Sequence, residues 1–578
     1  MIILGINLST HDSGAAIIKD GKILAAINEE RLSRIKMDDS APFKSIKKVL
    51  EISGLTEGDI DIIAFSDMEF GLRRYFWHFW QQNQRVWYTK FKYLKSFLNN
   101  SSFNLYRFLN QTGINALISS RKSERDTKKI ISYLKEKGFK GEIKFVAHDL
   151  SHAAGAYFTS GKQEAFIGII EGSSFTNTAS FWVGKKNALK KVFEIPLPHS
   201  VGRYYEVVTL ILGFHPKKHG GKITGLAAIG DPNKCYKRVE RLLFIKNGSI
   251  KVSPLLYELH DEYFARNRTI PKMFEGEKRE DIAAAFQKRM EDVVLDQFKM
   301  LSKKYSLKNL VLSGGVVANV KLNMEISKLP EVENIFIHPG MGDVGQALGV
   351  ALQTYAELNQ KFEPFILHDV YFGPEFSSEE IENALKEAGL IYTKENNISQ
   401  KVGELLSKNM VVGFFQGRME YGPRALGNRT IMYPATDARV NDWLNKQLKR
   451  TEFMPFAPAT LKERAKDCYI GIEKCEYASK FMTITLTVTE YMKKSMPAAV
   501  HVDNTARPQL VDEETNPVYY RSIKEYERIT GLPGVINTSF NMHEEPIVCS
   551  PSEAISAYLQ SNLDVLAIGD FLVLKSDQ

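Results

Sequence analysis

The chain opens with MIILGINLSTHDSGAAIIKDG, residues 1–21, and this stretch predicts the fold. The apolar run from Ile2 to Leu8 is typical of a buried strand, and the small polar residues from Ser9 to Gly14 predict a loop. A second strand is expected from Ala15 to Ile18, with a hairpin turn at Asp20-Gly21. The chain therefore begins with a strand, a loop and a returning strand.

The same pattern recurs in AFIGIIEGSS, residues 165–174, where an apolar strand again ends in an acid and small residues. Ala179–Val183 then restarts a strand. Two such openings predict an internally duplicated α/β domain. The periodicity lapses between Lys361 and Glu375, and the capping sequence from Ser377 to Glu380 predicts a helix towards Leu390. We therefore predict domains at 1–362, with an inserted segment at about 70–125, and at 363–578.

Composition sets only broad limits. A chain of 578 residues is too long for one hydrophobic core and should form at least two domains. A net charge of +8 suits phosphate-bearing substrates as well as nucleic acid. The cysteines are widely spread without zinc spacing, which predicts reduced thiols: Cys235, Cys468, Cys475 and Cys549. We find neither a signal peptide pattern nor an apolar run of about 18 residues, so a cytoplasmic protein without a transmembrane segment is expected.

His148 and His152 predict half of a metal site, because residues four apart project from one face of a helix. Asp343 lies between glycines, and Glu171 ends an apolar strand, where a charge is costly unless it is paired or bound to metal. Two imidazoles with carboxylates are typical of an iron, manganese or zinc centre. The alternative is structural: helix capping and packing for the histidines, and a salt bridge for Glu171.

Two glycine-rich stretches predict loops whose backbone N–H groups approach a phosphate or nucleotide. One is Ser313-Gly314-Gly315, and the other runs from Gly220 through Lys222 to Gly225. Neither is a Walker A or dinucleotide motif, so tight turns without a ligand are the alternative.

The C-terminal half concentrates arginines among glycines in QGRMEYGPRALGNR, residues 416–429. Lys449, Arg450, Arg507 and the run from Asn537 to Asn541 follow. Arginine forks match phosphate oxygens, and a solvated basic face would not need the glycines. The pattern predicts a polyphosphate site.

An aromatic and basic segment spans residues 73–98, from Arg73 through Trp77 to Phe97. Its spacing favours amphipathic helices in an inserted lobe that packs on its own domain or lines an acceptor pocket. A membrane-surface role and single-strand nucleic-acid binding are the alternatives.

Together these motifs resemble the O-carbamoyltransferase family to which NodU, CmcH and TobZ belong. The resemblance runs over nearly the whole chain, including His11–Ala16, the His148–His152 run and Gly342-Asp343. It is most specific in Tyr421–Gly427 and Asn537–Asn541.

The resemblance implies two sites. An N-terminal domain of the actin and sugar-kinase (ASKHA) fold, similar to the tRNA threonylcarbamoyl transferase, would hold a metal, usually iron, and pass a carbamoyl group to an acceptor hydroxyl. A C-terminal YrdC-like α/β domain would form carbamoyl adenylate from carbamoyl phosphate and ATP with Mg. The acceptor implied is a sugar or secondary metabolite.

The resemblance also implies roles for individual residues. His148, His152 and Asp343 match the metal ligands, with Glu171 beside them, and His11, next to Asp12, matches a catalytic histidine that acts on the acceptor hydroxyl. The residues expected to bind nucleotide or adenylate in the N-terminal domain are Lys222, Gly225, Gly314, Gly315 and Asn319. Those expected to bind carbamoyl phosphate and ATP in the C-terminal domain are Arg418, Arg424, Lys449, Arg450, Arg507, Asn537, Ser539 and Asn541.

Three positions depart from the family pattern. Glu171 replaces the usual aspartate, Thr224 a methionine, and Met454 an arginine. The changes at Glu171 and Met454 leave a degenerate nucleotide-binding scaffold as one alternative. Threonylcarbamoyl transfer to tRNA, which shares both folds, is another. The modest charge and the match over the whole chain argue against nucleic acid. A homodimer is left open.

Overall fold

The computed structural model describes residues 1–8, 11–66, 114–174, 176–259, 269–439 and 456–577. The N-terminal half contains two five-stranded sheets. The first has the order β3-β2-β1-β4-β5, with strands β1 Ile2–Asn7, β2 Gly14–Lys19, β3 Lys22–Asn28, β4 Ile62–Ser66 and β5 Glu142–Val146. The second has the order β8-β7-β6-β11-β12, with strands β6 Glu164–Ile170, β7 Asn177–Lys185, β8 Ala188–Pro196, β11 Asn309–Ser313 and β12 Asn334–Ile337.

The two sheets repeat one topology. β1 pairs antiparallel with β2 and parallel with β4, and β6 pairs in the same senses with β7 and β11. The outer strands match as well, since β3 and β8 are antiparallel whereas β5 and β12 are parallel to their neighbours. The predicted duplication of an α/β domain is confirmed. The predicted hairpin is confirmed too, because Asp20 and Gly21 both have positive φ.

The C-terminal half is built on a mixed eight-stranded sheet of order β13-β22-β21-β14-β15-β20-β16-β19. Its strands are β13 Thr393–Lys394, β14 Val412–Phe415, β15 Arg429–Tyr433, β16 Ala457–Leu461, β19 Gln509–Val511, β20 Gly534–Ser539, β21 Val565–Ile568 and β22 Phe571–Leu574. Two small sheets pair β9 Leu243–Lys246 with β10 Ser249–Val252, and β17 Leu486–Thr487 with β18 Thr505–Ala506. This half is the predicted second α/β unit; the boundary at 362/363 stays a prediction.

Helices cover both halves. Those in the N-terminal half are Glu29–Ser33, Phe43–Ser53, Ile114–Glu136, His148–Phe158, Val201–Ile211, Gly220–Ala227, Tyr236–Val239, Thr269–Met273, Arg279–Ser302, Val320–Ser327 and Gln346–Leu358. Those in the C-terminal half are Ser378–Glu387, Ile398–Ser407, Ala465–Cys468, Glu476–Ser479, Glu490–Ser495, Pro517–Thr530 and Pro551–Gln560. Ser377 and Glu380 form the capping box of the helix predicted there. None of the helices in the described ranges has the length and apolarity needed to cross a bilayer.

Two helices between the five-stranded sheets position the site. His148–Phe158 packs against Gln346–Leu358 around Gly155 and Gly349. A Cβ at Gly349 would stand 2.0 Å from the Ser151 carbonyl oxygen, so only glycine permits this approach. The close crossing brings the histidine face of one helix to the first turn of the other.

Candidate metal centre and the surrounding site

The two carboxylates among the metal candidates lie in loops, and the two histidines lie on the helix His148–Phe158. Glu171 directly follows β6, and the corresponding end of β1 carries Asn7. The Asn7 amide donates to the backbone carbonyls of Asp12 and Asp343, at 2.9 Å each. Asp343 begins a short turn that leads into the helix Gln346–Leu358. The fold therefore brings together loops that are far apart in the sequence.

The side chains of the four predicted ligands converge. His148 Nε2 lies 2.9 Å from Glu171 Oε2, and His152 Nε2 lies 2.7 Å from Glu171 Oε1. Asp343 Oδ1 is 3.7 Å from His148 Nε2 and 3.4 Å from His152 Nε2. One ligand atom from each of the four residues lies within 4.8 Å of the others. Two imidazoles and two carboxylates are a donor set that suits a divalent transition-metal ion.

The charges in this cluster compensate one another. Burial alone would raise the pKa of Glu171, but His152 and His148 outweigh it and lower that pKa to about 2. Burial alone would lower the pKa of His152, but the carboxylates of Glu171 and Asp343 raise it to about 10. Burial alone would likewise raise the pKa of Asp343, but His11, His148 and His152 outweigh it and lower that pKa. A dication could replace the two imidazole protons without leaving a buried charge unbalanced.

His11 stands beside this cluster with Asp12 behind it. Its Nδ1 lies 2.7 Å from Asp12 Oδ2, and its Nε2 lies 3.9 Å from Asp343 Oδ2. The side chain is 31% exposed, so it can meet a molecule that enters from solvent. Burial lowers the pKa of His11, but Asp343 and Asp12 outweigh it and raise the pKa to about 9.

Gln346 is a site residue that the sequence reasoning missed. Its side-chain Nε2 lies 2.9 Å from Nε2 of both His148 and His152. Its Oε1 lies 2.9 Å from Ser151 Oγ. In the sequence Gln346 is one polar residue at the start of an apolar helix, three residues after Asp343, and no local pattern marks it as a site residue.

Of the residues predicted to bind nucleotide, Asn319 contacts the Gly220–Gly225 stretch through Thr224. Asn319 Nδ2 lies 3.5 Å from Thr224 Oγ1, and Asn319 and Gln287 exchange amide hydrogen bonds of 2.8 and 3.1 Å. Tyr205 donates to Gln287 Oε1 at 2.6 Å. Gln287 and Tyr205 were not identified from the sequence, since neither belongs to a motif that predicted a site.

The glycine-rich stretches differ from each other. The expected loop at Gly220–Gly225 is wrong: these residues form the helix Gly220–Ala227, which carries Lys222 on its first turn. The loop after β11 is confirmed, with Gly314 at φ +99° and its N–H donated to the Met341 carbonyl. Gly315 is exposed. The ligand contacts of these residues stay predictions.

In the C-terminal half, the loops that carry the predicted phosphate ligands converge. Asn537 Nδ2 donates to the Ala425 carbonyl at 3.1 Å and to Gln509 Oε1 at 2.6 Å. Gln509 donates in turn to the Leu426 carbonyl at 2.7 Å. Arg424, Arg507 and Ser539 lie within two residues of these contacts.

Several predicted phosphate ligands also have structural partners. Arg418 donates to the backbone carbonyls of Leu24, Phe372 and Gly373, and the Asn541 amide donates to two carbonyls of its own loop. Their phosphate contacts stay predictions. Other sequence-predicted features lie outside the described residues: Lys449, Arg450, Met454 and the aromatic segment at 73–98.

The arginine loop packs directly on the metal-site loop. The Tyr421 hydroxyl donates to the Val344 carbonyl, next to Asp343. Arg31 Nη2 donates to the Gly422 carbonyl at 2.9 Å, and Gly422 faces the Pro339 carbonyl. The two halves of the chain are therefore joined at the loops that carry their candidate sites.

Family models match almost all of this chain. Residues 2–352 match the carbamoyltransferase N-terminus, and residues 403–575 match the carbamoyltransferase C-terminus. The chain belongs to the carbamoyltransferase family. It is accordingly a transferase, and the predicted family is confirmed.

Relatives of this carbamoyltransferase align over its whole length. An uncharacterized protein of Synechocystis sp. is 31% identical over 619 aligned positions, covering 100% of this chain and 97% of that protein. Nodulation protein NolNO of Sinorhizobium fredii is 30% identical over 584 aligned positions, covering 98% of this chain and 80% of that protein. Component A of (R)-2-hydroxyglutaryl-CoA dehydratase from Acidaminococcus fermentans has a TM-score of 0.33 at 17% identity, over 62% of this chain and 98% of its own. That structural likeness is too weak to bear on activity.

Proposed function

We propose that this carbamoyltransferase is ATP-dependent and modifies a hydroxyl group of a sugar or secondary metabolite. In the C-terminal half, carbamoyl phosphate, water and ATP would give carbamoyl adenylate, phosphate and pyrophosphate. In the N-terminal half, the acceptor oxygen would attack the carbamoyl carbon, so that the carbamate ester forms and AMP leaves. The proposed division is 1–362 for transfer and 363–578 for adenylate formation.

The observation that carries this proposal is the contact between Tyr421 and Val344, supported by that between Arg31 and Gly422. Arg424 follows Tyr421 by three residues, and Asp343 precedes Val344. Carbamoyl adenylate is sensitive to water, so a pathway that makes and consumes it needs adjoining, shielded sites. Packing of the arginine loop on the metal-site loop meets that need.

The residues of the transfer site have separable roles. His11 is proposed as the general base that accepts the acceptor's hydroxyl proton, with Asp12 fixing its ring through Nδ1. His148, His152, Glu171 and Asp343 would hold a divalent metal, iron by family resemblance, which when bound polarises the carbamoyl carbonyl. Such a cation would also offset the carboxylates that keep His11 protonated.

The remaining assignments follow the resemblance. Carbamoyl phosphate and ATP are proposed to bind the C-terminal arginines and the Asn537–Asn541 run, and the adenylate to bind near Lys222, Gly225, Gly314, Gly315 and Asn319. The acceptor is proposed to be a small molecule in the cytoplasm, not a nucleic acid. Homodimer formation is left open.

Transfer of label from ¹⁴C-carbamoyl phosphate tests this function. The purified protein is incubated with ATP and a panel of sugars, hydroxylated metabolites and tRNA, and products are separated by chromatography. We expect ATP-dependent label in a hydroxylated small molecule. Label in tRNA instead, or ATP-independent transfer, would contradict the proposal.

A further inference from the structure

We infer that Gln346 supplies a fifth ligand, its side-chain Oε1, to the divalent cation held by His148, His152, Glu171 and Asp343. This inference rests on the metal centre of the proposed function. No family pattern noted above includes this glutamine, and the argument uses only the geometry and hydrogen-bond donors around its amide.

The position of the amide is that of a ligand. Its terminal atom nearest the histidines lies 2.9 Å from Nε2 of His148 and of His152, and it lies 2.8 Å from His148 Nδ1 as well. Metal–nitrogen and metal–oxygen bonds of about 2.1 Å place neighbouring ligand atoms of an octahedral ion about 3 Å apart. The contacts of Glu171 with the same two nitrogens, at 2.9 and 2.7 Å, have this spacing as well.

The hydrogen-bond donors decide which end of the amide faces the histidines. Each histidine Nε2 lies within hydrogen-bond distance of a Glu171 oxygen, and a carboxylate can only accept. Both nitrogens are therefore N–H donors when no metal is bound. An amide NH₂ at the same place would face two N–H donors with no acceptor between them, and it could not coordinate a cation. The amide oxygen suits the position in both states.

Ser151 gives an independent argument for the same orientation. Its hydroxyl lies 2.7 Å from the His148 carbonyl and 2.9 Å from the outer atom of the Gln346 amide. One hydroxyl has one hydrogen, and we assign it to the His148 carbonyl because that is the nearer of the two atoms. Ser151 can then only accept from Gln346, so the outer atom is the NH₂ and the inner atom is Oε1. A 180° rotation of the amide therefore places Oε1 against the two histidines and an amide N–H on Ser151 Oγ.

Burial explains why this glutamine needs such a partner. Gln346 is fully buried at the first position of its helix. A buried amide without hydrogen-bond partners destabilises the fold, and the Ser151 hydroxyl is a partner for only one end of this amide. The other end of the amide lies against His148 and His152, where it has the histidine N–H groups or a bound cation as its partner. Together with Glu171, which is one methylene longer than aspartate, it gives the centre two nitrogen and three oxygen donors.

The test is Co²⁺ binding to the metal-free full chain, followed by calorimetry and by visible absorption. Q346L removes the oxygen, Q346E keeps it, and Q353L is the matched control. Gln353 lies two turns further along the same helix, also buried, and bonds to Glu357 rather than to the site. Circular dichroism checks folding, and Q346N, which withdraws the oxygen without losing polarity, replaces Q346L if that variant does not fold.

We expect Q346L to bind Co²⁺ at least tenfold more weakly, with a stronger visible band because a ligand has been lost. Q346E should bind at least as tightly as the wild type, and Q353L should be unchanged. Equal affinity and an unchanged spectrum in Q346L would overturn the inference while leaving the metal centre intact. Failure of the wild type to bind would instead overturn the metal part of the proposed function.

Discussion

The Tyr421 hydroxyl donates a hydrogen bond to the backbone carbonyl of Val344, the residue that follows Asp343. Both partners are buried. Tyr421, in the C-terminal half, therefore contacts the loop that carries the metal-site carboxylate Asp343. The Asn28 amide, which also donates to this carbonyl at 3.3 Å, adds a third segment to the same junction.

Tyr421→Phe should weaken this junction. The Val344 carbonyl would keep only the longer bond from Asn28, so we expect a loss of about 1 kcal/mol in stability and a larger fall in carbamoyl transfer than in adenylate formation. Thermal unfolding and the two separate assays measure this. Tyr519→Phe is the control, because the Tyr519 hydroxyl is buried without a partner among the described residues. Equal effects of the two substitutions would contradict the role of the junction.

His148→Ala should separate the two half-reactions. The variant loses one imidazole of the metal cluster, which lies in the N-terminal half, so transfer to the acceptor should fall by at least a hundredfold. Release of pyrophosphate should stay within about twofold of the wild type, since the arginine loop is untouched. A matching fall in both activities would show that the sites are not divided as proposed.

Glu171→Asp should weaken metal binding even though aspartate is the residue that the family resemblance leads us to expect at this position. Glu171 gives one oxygen to each histidine, at 2.9 and 2.7 Å, and a side chain shorter by one methylene would not reach both. We expect Co²⁺ affinity to drop about tenfold. Unchanged affinity would contradict the prediction that the centre needs the longer side chain.

Glu291 should make stability depend on pH. Burial raises the pKa of Glu291 to about 7 from 4.5, despite the hydrogen bond from Gln287. Between these values the folded state holds a proton that the unfolded chain has released, so stability falls as pH rises through this window, by roughly 3 kcal/mol. Glu291→Gln should remove that dependence.

Denaturant unfolding at pH 5 and pH 8 measures the Glu291 effect. The free energy of unfolding of the variant should exceed that of the wild type at pH 8 and differ little from it at pH 5. Glu136→Gln, at an exposed glutamate, controls for the loss of one charge. A wild type and an E291Q variant with parallel pH profiles would rule out a titrating Glu291.

Local pattern predicted much of the fold. The strand, loop and hairpin at the start of the chain and their repetition after Ala165 rest on contacts between neighbours in sequence, so periodicity revealed them. The glycines of Gly220–Gly225 led to the wrong prediction of a loop. They are tolerated in a helix here because that helix packs against the long helix Arg279–Ser302. Helix or loop was decided there by tertiary packing rather than by propensity.

The site was predictable where residue chemistry is distinctive. His148 and His152 share a helix face, and the carboxylate of Glu171 follows an apolar strand, where it needs a cation or a hydrogen-bond donor as a partner. Gln346 carries no charge and stands in an apolar helix, so nothing local separated it from a core residue. Its meeting with the histidines depends on the glycine crossing at Gly155 and Gly349, which no sequence pattern shows.

The most direct test of the central claim is pyrophosphate release from ATP by the purified protein, with and without carbamoyl phosphate. The account predicts release only when both substrates are present, with AMP accumulating once a hydroxyl acceptor is added. Pyrophosphate release that does not depend on carbamoyl phosphate, or none with both substrates present, would contradict it.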